Sequence, residues 1–104
     1  MKIKVKPLHK RKDFWKATYE LESPFFLGYT YYEPEGTVHQ LIKSSGGYFS
    51  NVAAREIETF EQAEVLIYQL YLEDLKGRLK QIIEQDFELE CALPETSGTG
   101  QSNQ

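Results

Sequence analysis

This sequence predicts an α+β fold: an antiparallel meander of three to five strands, then one long helix, then a polar tail. Three observations carry it. Apolar and polar residues alternate through "WKATYELE", with Trp15, Ala17, Tyr19 and Leu21 on one side and Lys16, Thr18, Glu20 and Glu22 on the other, the period of a half-buried strand. Two turn signals, "EPEG" at 33–36 and "SSGG" at 44–47, divide the segments that follow. After Thr59 the period changes from strand to helix.

Taken in order, "KIKVK" at 2–6 alternates and suits an edge strand, where lysines discourage sheet-to-sheet association. "PLHKRKDF" reads as a solvated basic loop. Beyond "WKATYELE", Ser23-Pro24 interrupts the pattern, because proline has no ladder donor and holds its predecessor extended. "FFLGYTYY" resumes as a strand with Phe25, Leu27, Tyr29 and Tyr31 on one face and Phe26, Gly28, Thr30 and Tyr32 on the other. Pro34 suits the first central turn position and Gly36 is free to take positive φ, so "EPEG" closes a hairpin onto "TVHQLIK". Residues 48–57 supply a further strand, irregular around "SNVAA". Thr59 with Gln62 three residues later is a capping-box signature, and Glu58, Glu61 and Glu64 favour the positive end of a helix expected over about 60–85. "DFELECAL" reads as a short strand or extended strap. Residues 1–93 form one expected domain; 94–104, polar and rich in turn formers, form an expected disordered tail.

The expected helix carries two apolar stripes. Phe60, Ala63, Leu66, Ile67 and Leu70 gather on one side and stop at Asp74. Val65, Tyr68, Leu72, Leu75, Leu79 and Ile82 form a second row with heptad spacing, suited to packing on another helix. About 25 helical residues span roughly 37 Å, whereas a seven-residue strand reaches only about 23 Å. A second copy of the chain, seated on the heptad row in a two-fold dimer, is the expected cover. Internal coverage by "FELECAL", or by a second half of the helix folded back at Gly77, is the alternative.

Composition limits the function classes. At 104 residues and 12.1 kDa the chain is long enough for one core. A single cysteine, Cys91, closes no bridge within the chain and fits a reducing compartment, and no apolar run approaches the roughly 20 residues of a membrane span, so a cytoplasmic protein with no membrane association is expected. Residues 1–16 hold seven Lys or Arg against Asp13, a basic start in a chain of net charge −4. His9 and His39 stand apart without a ligand set, "SSGG" has no phosphate-loop spacing, and Cys91 has no basic neighbour, so no catalytic residue, metal or cofactor is assigned. The functional expectation is a non-catalytic binding or regulatory module acting through protein contacts, homodimeric through Val65, Tyr68, Leu72, Leu75, Leu79 and Ile82. Its alternative is a nucleic-acid-binding module in which Lys10, Arg11 and Lys12 meet phosphates while Phe26, Tyr32 and Tyr48 stack on bases.

Overall fold

The computed structural model describes residues 1–20 and 26–91, with backbone only at 26 and 27. The elements are β1 (Lys2–Val5), β2 (His9–Lys12), β3 (Lys16–Glu20), β4 (Phe26–Tyr32), β5 (Thr37–Ser44), β6 (Gly47–Ala54), α1 (Phe60–Leu79) and β7 (Glu88–Cys91). Strands β2 to β6 form a five-stranded antiparallel meander in sequence order, followed by the helix: the α+β class the periodicity predicts. The Ser23-Pro24 break and the polar tail lie outside the described residues.

Two expectations change between residues 9 and 16. "HKRK" is not a loop but the outer strand β2, paired residue for residue with β3 from His9↔Glu20 to Lys12↔Ala17. Trp15 does not share a face with Ala17 and Tyr19. It sits in the tight β2–β3 connection, where Asp13 donates its amide to Lys16 O at 2.8 Å, and its ring stacks on Tyr32 on the opposite face, centroids 6.0 Å apart. The turn resets the alternation one residue before the strand begins.

The "EPEG" hairpin forms as its residues dictate: Gly36 adopts φ 66° and donates to Tyr32 O at 2.9 Å. Its carbonyl accepts the Ile57 amide at 2.9 Å, pinning the crossover from β6 to the helix against the turn. Glu56 takes the bend at φ 61°, a left-handed conformation costing a residue with a Cβ about 1–2 kcal/mol. Glycine there removes that strain and adds about 0.4–1 kcal/mol of unfolded-state entropy. Glu56→Gly is therefore expected to raise stability by a few tenths to about 1 kcal/mol, read as a higher urea midpoint at unchanged slope.

The helix opens on the capping box that Thr59 and Gln62 predict. The Thr59 hydroxyl accepts the Gln62 amide at 3.1 Å, and Gln62 Oε1 accepts the Glu58 and Thr59 amides at 2.9 and 3.3 Å. It passes through Gly77 unbroken but ends at Leu79, not near Gln85; Lys80 caps it and Ile83 donates to Leu79 O at 2.8 Å. Twenty residues make a rod of about 30 Å, against about 26 Å for the eight-residue strands β5 and β6. The expected overhang mostly disappears. The chain turns back because Phe87 is buried and β7 has a partner to reach: β1, in parallel, with Lys2 opposite Glu88 and Lys4 opposite Glu90. Thus "KIKVK" forms a strand outside the meander, in a two-stranded sheet of its own, its cations in register with carboxylates.

The core is unusually phenolic. Tyr19, Tyr29 and Tyr31 from the sheet and Tyr68 and Tyr71 from the helix are buried with Leu8, Ala17, Val38, Ala63 and Ile67. Each ring brings large apolar area, and the hydroxyls of Tyr19, Tyr31, Tyr68 and Tyr71 reach polar partners at the core boundary. Tyr19 donates to Glu64 at 2.8 Å and Tyr31 to Ile57 O at 2.8 Å. Tyr71 donates to Lys6 O at 3.0 Å, while Tyr68 accepts the Leu8 amide at 3.0 Å. These last two bonds fasten the strap 6–8 along the helix.

Candidate interaction surface

The heptad row expected to meet a second helix is divided by the fold. Tyr68 is 3 % exposed, part of the core, and bound to the strap; Leu72 and Leu75 pack half-buried against that core, and Leu79 is also half-covered. Val65 and Ile82 remain, 59 % and 77 % exposed, at opposite ends of the row, Ile82 beyond the last helical residue. The internal strap covers the middle, which is why the row is not one continuous free seam. Tyr71, which belongs to neither expected stripe, is core. Its signal was present in the spacing of Phe60, Glu64, Ile67 and Tyr71, a helical stripe in which the carboxylate hid the pattern.

The basic cluster is also divided, for the reason that residues 9–12 are a strand. Alternation turns Lys10 and Lys12 to the helix side: Lys10 Nζ pairs with Glu64 at 2.7 Å, and Lys12 Nζ lies 4.2 Å from the centre of the Phe60 ring. Arg11 points to the other face and pairs with Glu20 at 2.8 Å. Tyr32 shares that face, held between Trp15 and the edge-on ring of His39 at 5.1 Å. Tyr48 is on it too, opposite Lys43, 68 % exposed. The side chain of Phe26 lies outside the described residues.

Burial holds the core phenols neutral. Desolvation, aided by the bond to Glu64, places Tyr19 far above the ordinary phenol range; burial alone dominates at Tyr29 and Tyr68, each pushed up to about 12, and raises Tyr31 and Tyr71 as well. An unfolded phenol ionises near 10. Below that pH both states are neutral and the full stability is present; as pH rises from 10 towards 12 the unfolded chain sheds protons that the folded chain keeps, and stability falls. For Tyr29 and Tyr68 the loss is of order 2–3 kcal/mol each, against a total of about 5–15 for a small domain. The protein is expected to unfold cooperatively below pH 12, with phenolate absorbance and far-UV circular dichroism changing together. Gradual phenolate formation with retained dichroism would contradict the burial.

Among the described strands with assigned burial, the most exposed is β6, in the β5–β6 hairpin. β6 is the outer strand, exposed from Gly47 to Ala53 on both faces, because the helix lies over the middle of the sheet and stops short of it. Tyr48 and Val52 (41 % exposed) stand on the face away from the helix and Phe49 (48 %) on the helix side. A separate cleft of about 890 Å³ opens between the helix end and 83–88; Lys2, Lys76 and Lys80 line it together with Glu84, Asp86 and Glu88, so it offers no field of one sign to a charged ligand. Among the described residues no three His, Cys, Asp or Glu side chains are grouped to hold a metal ion, and no helix is long and apolar enough to cross a membrane. No family model, characterised protein or solved structure matches the chain.

Proposed function

We propose that this chain is a small non-catalytic binding module that acts through protein contacts, with the β5–β6 hairpin as its contact surface. One observation carries the reading. From Ser44 to Ala54 there is no charged residue, yet these residues include the whole of an outer strand that displays Tyr48, Phe49 and Val52. Natural sheets usually guard such an edge with charge, proline or cover, and exposed aromatics are the anchors that protein contacts favour. A photoreactive phenylalanine analogue in place of Tyr48 is expected to form adducts with protein in cells expressing the chain, while the same analogue at Lys80 does not. Adducts to nucleic acid alone would overturn the proposal. The helix offers a smaller contact through Val65; Val65→Glu that removes the Tyr48 adducts would move the site there.

A polynucleotide is the second reading, and a specific feature favours it. Arg11, Lys16 and Lys43 share the helix-free face with Trp15, Tyr32 and Tyr48, and Glu20, paired with Arg11, is the one carboxylate that the described strands place there. Retention on single-stranded DNA that weakens with salt, and whose log–log salt slope drops by about one for each of Arg11→Ala, Lys16→Ala and Lys43→Ala, is the expected signature. Retention indifferent to these changes removes it.

A further inference from the structure

We infer that β6 is completed by β6 of a second copy of this chain, antiparallel, about a two-fold axis standing on the sheet near Phe49 and Ser50. Two five-stranded sheets then join into one continuous sheet with both helices on the same side. The inference rests on the contact surface proposed above and names its partner.

The two outer strands of the meander differ in charge, and that difference selects both the edge and the occupant. β2, "HKRK", carries Lys10, Arg11 and Lys12; a second copy laid along it would set cations against cations, which sheets use to prevent pairing. β6 carries none. Laid against itself, it meets no like charge, and its free row of amides and carbonyls finds an equal row. The nearest charge along the chain, Arg55, follows the strand end. In antiparallel pairing centred on Ser50, which lies opposite Ser50 of the second copy, the two Arg55 residues lie at opposite ends of the ladder, roughly 33 Å apart at 3.3 Å per residue, well beyond the screening length of about 8–10 Å.

Geometry limits the ladder and closes it. Register shifts between Val38↔Ala54 and His39↔Val52, so Ala53 is an extra residue that bulges the strand and ends regular pairing, leaving Gly47–Val52 flat enough to pair. A two-fold axis perpendicular to the sheet keeps each side chain on its own face: both Phe49 rings fall on the helix side, and Tyr48 and Val52 fall on the other. The contact is self-complementary and closed. Growth beyond two copies stops because the edges that remain exposed are the cationic β2 strands.

Light scattering over a concentration series is expected to give twice the 12.1 kDa chain mass at the high end, falling towards one on dilution. Ser50→Lys places two cations beside the axis, and Phe49→Lys two more on the helix side; each is expected to raise the dissociation constant about tenfold or more. Both positions are exposed, so far-UV dichroism stays unchanged. Val65→Lys is expected to leave the mass untouched. Hydrogen exchange on the unmodified chain supplies a second measurement: protection within Gly47–Val52 that grows with protein concentration. A chain of single mass at every concentration, protection in that strand independent of concentration, or a dimer abolished by Val65→Lys and not by Ser50→Lys would each overturn the inference. If the purified chain is monomeric while Tyr48 still forms adducts with a different protein, the second copy is excluded and the binding module stands.

Discussion

Gly28→Ala is expected to cost about 4 kcal/mol or more, enough to consume most of the stability of a domain this small. Gly28 lies in β4 at φ 125°, where pairing with β5 shifts between Phe26↔Ile42 and Gly28↔Leu41. That φ is outside what residues with a Cβ adopt readily. Sterics add a second penalty: an added Cβ would fall 1.9 Å from the Tyr19 carbonyl oxygen and 2.9 Å from its carbon, both backbone atoms of the neighbouring strand. No rotamer change relieves a clash of backbone with Cβ, so β3 and β4 must separate, and Tyr19 and Tyr29 separate with them. Equilibrium urea unfolding reads the loss. Gly77→Ala provides the contrast, since beyond the adjoining residues and backbone of its own helix no atom lies within 4 Å of its added Cβ, and alanine there is expected to gain about 1 kcal/mol. Equal effects of the two substitutions would contradict the close approach at β3–β4.

Ile67→Ala is expected to cost about 2–5 kcal/mol, the range for deleting a fully buried aliphatic side chain. Ile67 is 0 % exposed and lies in the core that Ala17, Tyr19, Tyr29, Tyr31 and Val38 form with the helix. Its neighbours are rings and β-branched groups, which collapse poorly into a hole, so the upper half of the range is expected. Val65→Ala, two residues earlier, removes a side chain 59 % exposed and is expected to change stability by no more than about 0.5 kcal/mol. The pair separates the helix face that holds the fold from the one free to make contacts. A large loss at Val65 in a chain shown to be dimeric would identify the helix, not β6, as the interface.

Much of this architecture was readable from local pattern. The alternation in Ala17–Glu20, the "EPEG" turn with positive φ at Gly36, and the reciprocal bonds of Thr59 and Gln62 each depend on residues within a few positions of one another. Short-range sterics and periodicity encode such features directly. The apolar helix face was readable at Ala63 and Ile67, and less so at Tyr71, where Glu64 interrupts the stripe. Trp15 went to the opposite face because a three-residue connection, not the strand pattern, sets its direction.

The candidate surface was less legible, because exposure is a property of what covers what. Tyr48, Phe49 and Val52 look in the sequence like any half-buried strand; only the helix position over the central strands leaves them uncovered. Lys10 and Lys12 look like a phosphate site until Glu64 and Phe60 are found beneath them.

By itself the sequence determined the central strands β3 to β6, the turns between them, the helix start and the class of fold, all of which arise from interactions among neighbours along the chain. Only the tertiary structure decided that the heptad row is shared with a strap, through a hydrogen bond between Leu8 and Tyr68 that spans 60 residues, and that β6 is the uncharged edge. The physical reason is that burial depends on closing long loops, and the choice among possible covers is made by the packing of the whole chain and not by any segment of it.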